Sequence, residues 1–297
     1  MVIGRFAPST TGEAHPGTLL AALIAWLSAK SAGGLCLLRL EDLDPKRSNP
    51  DLAQKMAEDL AWFGLTFDAT VWQSSLGAQH TAALDKLAAQ GLLYACTCSR
   101  AHIARTGRQL PDGSRIYANT CRATAPLTAA GWRKTPEAVR MRLDSVPFDP
   151  VVRRRDGSVA YLLACVVDDA AMGITHVVRG RDLADQEGAQ RALGQALGLP
   201  IPHYQHHMLL LEPHGGKLAK MHGSLPASTL RRLAPADVWV GALAHLAGLQ
   251  KSDAPITPAR LITTFDWSAL RQADCTVVLE GHRLIGLDVP PRHHLHA

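Results

Sequence analysis

Apolar positions follow two periods along this chain, and their alternation predicts its architecture. Val2 and Ile3 begin a short strand, Pro8 to Gly17 form a turn-rich loop, and from Thr18 Leu19, Leu20, Leu23, Ile24 and Leu27 share one face of an amphipathic helix. Leu35 to Leu40 has the length of a buried strand and ends in the charged string Arg39, Leu40, Glu41, Asp42, Leu43, Asp44. Asn49 and Pro50 open a helix with Leu52, Met56, Leu60 and Phe63 on one face and Gly64 as its stop. Gly77 to Gln90 fits a further helix, closed by Gly91. Strand alternating with helix predicts a parallel sheet.

From Tyr94 to about Pro147 the pattern breaks into short pieces, turns such as Pro111-Asp112-Gly113 and scattered basic residues, as an inserted subdomain would. Val151 to Leu163, interrupted by Asp156-Gly157, reads as a hairpin. Ile174 to Val178 is a core strand ending in Arg179-Gly180-Arg181-Asp182, and Leu183 to Leu197 a helix stopped by Gly198 and Pro200. Met208 to Leu211 is a last apolar strand before the loop His214-Gly215-Gly216-Lys217-Leu218-Ala219-Lys220. Beyond Pro226 the periodicity is helical around Ala236 to Leu249 and Ala259 to Leu270. The expected organisation is an α/β catalytic domain from residues 1–95 and 148–225, an inserted subdomain at 96–147, and a helical C-terminal region with a His-rich tail at 226–297.

With 297 residues, 47% hydrophobic and 19% charged, the chain has the composition of a folded protein with a large core. Its net charge of +5 is compatible with a polyanionic partner without requiring one. No apolar run approaches the ~20 residues that span a bilayer, and the first residues lack a secretory pattern, so a cytoplasmic protein without membrane contact is expected. Of six cysteines, Cys36, Cys165 and Cys275 sit in apolar runs, while Cys96, Cys98 and Cys121 cluster.

That cluster points to zinc, which soft thiolates hold in tetrahedral sites. A fourth ligand is needed, and spacing favours His102 over Tyr117, since a phenol is an uncommon zinc ligand. Free thiols in a small core are the plain alternative. The stretch Gly4 to Gly17 runs from a strand through a glycine-containing loop into a helix start, a place where α/β proteins receive phosphate, and His15 can add a donor there. An ordinary connection with a surface histidine fits equally well. Lys217 and Lys220 can neutralise charge growing on a leaving pyrophosphate, or simply be solvated. Arg5, Glu41 and Arg179 at strand ends, with Tyr161, offer the mixture an acidic amino acid needs, although surface ion pairs use the same residue types.

Four motifs in order carry a resemblance. GRFAPSTTGEAHPG resembles the first signature of the glutamyl-tRNA synthetase family, and LRLEDLDPKR the segment that follows it there. AYLLACVVDDAAMGITHVVRGRDL is similar to the family's later glutamate-site region, and GGKLAKM to its lysine-rich second signature. The likeness covers roughly residues 2 to 225. Long members carry a large anticodon-binding region after the second signature, whereas only residues 226–297 follow here. Together with the Cys-x-Cys and Tyr-x-x-x-Cys insertion, this resembles the short, queuosine-directed branch of the family.

The resemblance implies a class I synthetase fold: a Rossmann-type parallel sheet with a zinc-containing insertion and a short helical C-terminal region. It implies activation of L-glutamate with ATP and Mg2+ independently of tRNA, then transfer to the cyclopentene-diol of queuosine in the anticodon loop of tRNA(Asp). A monomer is expected. Arg5, Phe6, Ala7, Pro8, Ser9, Glu41, Tyr161 and Arg179 fall on the family's glutamate positions, and Lys220 on its ATP-contacting lysine. His15 and Gly17 would face ATP, with His15, Lys217 and Lys220 stabilising the transition state. One structural zinc ion would be held by Cys96, Cys98, Tyr117 and Cys121, reversing the preference for His102. Thr10 stands for the usual proline, Ala14 for a leucine and Ala219 for a serine. Arg100, Arg105, Arg108, Arg115, Arg231 and Arg232 are candidate RNA contacts. Charging of a tRNA 3′ end, transfer to a small amine, and a silent RNA-binding paralogue are the alternatives.

Overall fold

The computed structural model describes residues 1–44, 48–109, 115–213, 218, 225–280 and 283–287. Lys217, Ala219, Lys220, the Pro111-Asp112-Gly113 turn and the His-rich tail therefore lie outside the described residues. From the amino terminus the chain runs β1 (Ile3–Phe6), α1 (Pro16–Ser31), β2 (Leu35–Leu40), α2 (Pro50–Trp62) and β3 (Ala69–Trp72). Next come α3 (Gly77–Ala89), β4 (Leu93–Cys96), α4 (Arg100–Thr106), β5 (Arg108–Gln109), β6 (Arg115–Ile116), α5 (Ala129–Lys134), β7 (Ala138–Met141), β8 (Val151–Arg153) and α6 (Tyr161–Ala171). Then follow β9 (His176–Gly180), α7 (Glu187–Ala196), β10 (His203–His207), β11 (Leu210–Leu211), α8 (Ala227–Leu233), α9 (Ala236–Leu246), α10 (Pro258–Leu261), β12 (Cys275–Glu280) and β13 (Arg283–Leu287).

These elements form two compact units. Of the described residues, the first holds Met1–Ser74, Ile174–Ala184 and those from Pro202 to Leu287; the second holds those within Ser75–Gly173 and Asp185–Ile201. Residues 75–95 and 148–173, expected with the catalytic portion, thus pack with 96–147, and α8 to α10 pack in the first unit.

The first unit is built on a parallel sheet, five-stranded among the described residues, in the order β10-β9-β1-β2-β3. Helix α1 differs from the expected amphipathic helix. Besides its leucine face, Ala22, Ala25, Trp26 and Ala29 are buried, because α1 packs on β1, β2 and β9 and also against α9 and α10. Small alanines on the flanks let both layers approach. Helix α2 begins as its sequence directs: the Asn49 side chain accepts the Asp51 amide at 2.8 Å, with Pro50 in the first turn.

One strand of the main sheet, β10, escapes hydrophobic periodicity. β10 reads HYQHH and lies at the sheet edge, where no apolar pattern is demanded. The apolar segment after it, β11, leaves the sheet and pairs with β12, which forms a hairpin with β13. The C-terminal region is therefore helical and then β. Its second expected helix is broken into α10 and the 3-10 turns Ile262–Thr264 and Trp267–Ala269.

The second unit carries an antiparallel sheet in the order β4-β7-β8, backed by α3, α6 and α7 around Leu84, Leu87, Met141, Leu163 and Leu193. The hairpin expected over Val151–Leu163 is cut short. Its turn forms, with Gly157 at φ 89 and Arg154 N–H donating to Ser158 O at 2.8 Å, but the return is a single bridge from Val159 to Arg153. Helix α6 then takes over, since the consecutive apolar run from Leu162 buries more surface as a helix against α3 and α7. The helix expected over Leu183–Leu197 likewise starts as a 3-10 turn, Arg181–Gln186, before α7. Among the described residues no helix is long and apolar enough to cross a membrane.

Candidate active site and metal centre

In the first unit the expected residues gather at the C-terminal ends of β1, β2 and β9, where open α/β sheets take ligands. Arg5 is 5% exposed and its guanidinium donates to Val178 O at 3.4 Å, joining β1 to β9. Pairing of β1 with β2 continues past both strands. Glu41 N–H donates to Pro8 O at 3.1 Å, Thr10 N–H donates to Glu41 O at 3.3 Å, and Ser9 forms a parallel bridge with Glu41. Arg39, fully buried, reaches the Glu41 carboxylate at 3.2 Å. Ser9 is exposed, whereas Phe6 points into the core and offers only its backbone.

The departure at Thr10 acquires a structural reason here. Its hydroxyl donates to Glu41 O at 3.0 Å and accepts from the Ser48 hydroxyl at 2.8 Å, so it ties the loop after β1 to the loop after β2. Ala14, the second departure, is fully buried; its N–H donates to Asp59 at 3.1 Å and its carbonyl accepts from Ala227 N–H at 2.8 Å. A leucine would have to displace α2 or α8.

His15 caps α1 in extended backbone geometry and is 9% exposed. Pro16 occupies the first turn, which itself holds no acidic residue; Glu13 precedes the cap, and the Asp59 carboxylate is taken up by the Ala14 amide just ahead of it. A Cβ built on Gly17 would lie 3.1 Å from His15 Cε1 and 3.5 Å from Leu218 O. An added methyl would therefore press on the imidazole, and the Leu218 carbonyl stands close to the same helix start. Leu218 N–H is fixed by Leu210 O at 3.0 Å.

Arg179 lies in β9, 6% exposed, and donates through Nη2 to Leu183 O at 3.0 Å. Its Nε donates to His206 Nε2 at 3.2 Å, and its guanidinium carbon sits 5.1 Å from the centre of the Tyr204 ring. Tyr204 and His206 were invisible to sequence reading; the signal available was a period-two aromatic alternation beside Val178-Arg179-Gly180. Tyr161 opens α6 in the second unit and is 41% exposed, not part of a hairpin return.

The second unit gathers the cysteines. Cys96, Cys98 and Cys121 place their sulfurs within 4.8 Å of one another, with Cys98 and Cys121 3.7 Å apart. Cys96 Sγ lies 3.6 Å from Tyr117 Oη, which also accepts the Cys121 amide at 2.8 Å. His102 is outside this group; on α4 it lines a groove of about 390 Å³ with Cys98 and Arg105. Spacing alone favoured His102, but the fold sets it apart from the three sulfurs and brings Tyr117 beside Cys96 instead. Arg140 supports the cluster, donating to Cys96 Sγ at 3.3 Å and to Asp149 O at 2.6 Å, with its guanidinium 3.6 Å over the Tyr117 ring. Burial works against the Cys121 thiolate, but hydrogen bonds from Thr97, Cys98 and Tyr117 overcome it and bring the thiol down to about 7. Burial pushes the neighbouring Cys98 thiol up to about 12. Three soft donors and one phenol oxygen around one point are a donor set that fits zinc.

Several expected RNA contacts have other partners. Arg108 donates to Pro147 O at 2.9 Å and Arg115 to Gly107 O at 2.7 Å. Arg231 bonds Asp59 at 2.8 Å and Glu58 O at 2.9 Å, and Arg232 bonds Thr229 at 3.0 Å. Arg100 and Arg105 are exposed.

An α/β sheet with a helix start and charged strand ends at one edge defines a nucleotide-dependent enzyme of the class I synthetase kind. Residues 1–234 match the family described as tRNA synthetases class I (E and Q), catalytic domain, and the chain belongs to that family of ligases. The Glutamyl-Q tRNA(Asp) synthetase of Symbiobacterium thermophilum is 39% identical, over 90% of this chain and 93% of its own. Those of Leptothrix cholodnii and Burkholderia cenocepacia are each 41% identical, over 77% and 85% of this chain and 85% and 90% of theirs. A glutamate tRNA ligase from Elizabethkingia meningosepticum, solved with its amino acid, shares the fold with a TM-score of 0.74 at 23% identity. That likeness covers 93% of this chain and 66% of the other.

Proposed function

We propose that this chain activates L-glutamate with ATP in the absence of tRNA and transfers it to queuosine in the anticodon loop of tRNA(Asp). The observation that carries this reading is the agreement of several relatives near 40% identity, along most of both chains, on one activity. The charged strand ends of the first unit support the glutamate half. Arg179 and Arg5 offer forks for a carboxylate and Glu41 a partner for an ammonium. Backbone groups of Ala7 to Ser9, and Tyr161 by the resemblance, complete the amino-acid set.

In the first step a glutamate carboxylate oxygen attacks the α-phosphorus of ATP. The bond to the leaving phosphate breaks, giving glutamyl-adenylate and pyrophosphate. His15 and the start of α1 stabilise the charge that develops, Gly17 leaves room for the imidazole, and Lys217 and Lys220 act on the leaving group. Mg2+ enters with ATP, whose phosphates supply its ligands. In the second step a queuosine hydroxyl attacks the activated carbonyl and AMP leaves.

Cys96, Cys98, Tyr117 and Cys121 hold one zinc ion in a purely structural role, joining β4 to the segment that follows β6. The protein acts as a monomer in the cytoplasm. The test is glutamate-dependent ATP–pyrophosphate exchange without tRNA, followed by labelled-glutamate incorporation into tRNA(Asp) with and without queuosine. Exchange together with queuosine-dependent incorporation is expected. Equal incorporation into both tRNAs overturns the acceptor; exchange without any incorporation points to a small amine, and no exchange in folded, zinc-loaded protein to a binding role.

A further inference from the structure

β10 lies parallel to β9 in a register that sets His206 opposite Arg179, with Tyr204 opposite Val177. Side chains two residues apart share a face of a strand, so Tyr204 and His206 stand on the same side of the sheet as Arg179. Three contacts then hold the guanidinium. Its Nε–H is received by His206 Nε2 at 3.2 Å, one Nη2 hydrogen by Leu183 O at 3.0 Å, and its central carbon lies over the Tyr204 ring, 5.1 Å from the ring centre. For His206 to accept at Nε2, its ring proton must sit on Nδ1. An arginine anchored at Nε and held over an aromatic ring has lost the rotations that would let it swing, which is the condition for bidentate recognition of a planar acid.

The chemistry of adenylation says which acid. A carboxylate that attacks phosphorus must present an oxygen to it, so a fork binding both oxygens serves the carboxylate that does not react. We propose that His206 and Tyr204 are positioning residues that fix the plane of Arg179, and that this fixation makes the site select a side-chain carboxylate over the isosteric amide. The proposal rests on Arg179 being a glutamate ligand, as argued above. An amide offers one acceptor and a donor; against a fixed guanidinium its NH2 meets N–H groups head-on, whereas a mobile guanidinium can turn to accommodate it.

The experiment is ATP–pyrophosphate exchange in the full-length protein, with glutamate and with glutamine. His206→Leu removes the acceptor, His206→Gln keeps one, and Tyr204→Leu removes only the platform. Arg179→Ala is the reference. Expected for His206→Leu is a rise of about tenfold or more in KM for glutamate, kcat within about threefold of the parent, and a smaller glutamate-to-glutamine ratio of kcat/KM. His206→Gln should recover most of the KM, and Tyr204→Leu should shift it in the same direction. An unchanged KM and ratio in His206→Leu, with Arg179→Ala impaired, overturns the positioning role alone. Arg179→Ala at parental KM overturns the ligand assignment itself. Equal loss of kcat and melting temperature in His206→Leu without rescue by glutamine marks a structural role and also overturns the proposal. If His206→Leu does not fold, the KM and ratio of Tyr204→Leu decide.

Discussion

Asp59, deep in α2, accepts the amide hydrogen of Ala14 at 3.1 Å through one carboxylate oxygen and the Arg231 guanidinium at 2.8 Å through the other. One buried side chain thereby joins the loop before α1 to helix α8. Glu13 reinforces the joint, bonding Lys55 of α2 and accepting the Ser228 amide at 3.2 Å. Asp59→Ala should cost about 2–3 kcal/mol in urea unfolding, the scale of losing bonds to a charged acceptor. It should also raise the KM for ATP, because the residue after Ala14 is His15.

The same carboxylate gives a pH signature. Burial raises its pKa above the ordinary 3.8, only partly offset by the Ala14 amide and Arg231. A raised folded value means that the contribution to stability is complete below the unfolded pKa and is lost as pH rises through the folded one. Asp59→Asn does not titrate. Its stability relative to the parent should therefore improve as pH goes from about 4 to about 7, read from paired urea melts.

For the metal centre, Cys98→Ser should lower bound zinc from about one per chain to well below half, by metal analysis of purified protein. Tyr117→Phe should weaken retention against a chelator by about tenfold or more, whereas His102→Ala should leave retention unchanged. Loss of zinc in the His102 variant with full retention in Tyr117→Phe would reverse the ligand assignment.

Gly17→Ala tests the ring above it. The added methyl would press on His15 at 3.1 Å, so the imidazole has to move. Glutamate-dependent exchange should fall by roughly a hundredfold in kcat, the order seen when a single transition-state donor is lost. The melting temperature should change little, because Gly17 is only half-buried.

Thr10→Val keeps the shape and removes the hydroxyl that bridges Glu41 O and Ser48. A loss of about 1–2 kcal/mol in stability and a several-fold rise in the glutamate KM are expected. No change in either would mean that the loop needs only the backbone bonds.

Where burial is one-sided or complete, the chain declares itself. β2 and α2 were legible because Leu35 to Leu40 is buried and α2 wears a capped, apolar stripe. The charged strand ends were visible as polar residues closing apolar strands, although ion pairs such as Arg39 with Glu41 use the same residue types. β10 was not, because an edge strand of histidines, tyrosine and glutamine carries no hydrophobic signal. The hairpin of β12 and β13 was missed since its alternation is weak, and α6 since a continuous apolar run suits strand and helix alike. Among site residues, composition exposed the cysteines, but partners brought in by tertiary packing, Tyr117 for the sulfurs, Asp59 for Ala14 and His206 for Arg179, have no local mark. Only resemblance named Tyr117 beforehand.

The bridge between Ser9 and Glu41, with Thr10 bonded across the same gap, ties the segment after β1 to the residue that follows β2. Were glutamate bound here as proposed, little of its contact energy would be diverted into ordering these tied residues. Association should accordingly follow a single exponential at every glutamate concentration, its rate rising linearly without a plateau, as capture by a finished mould requires.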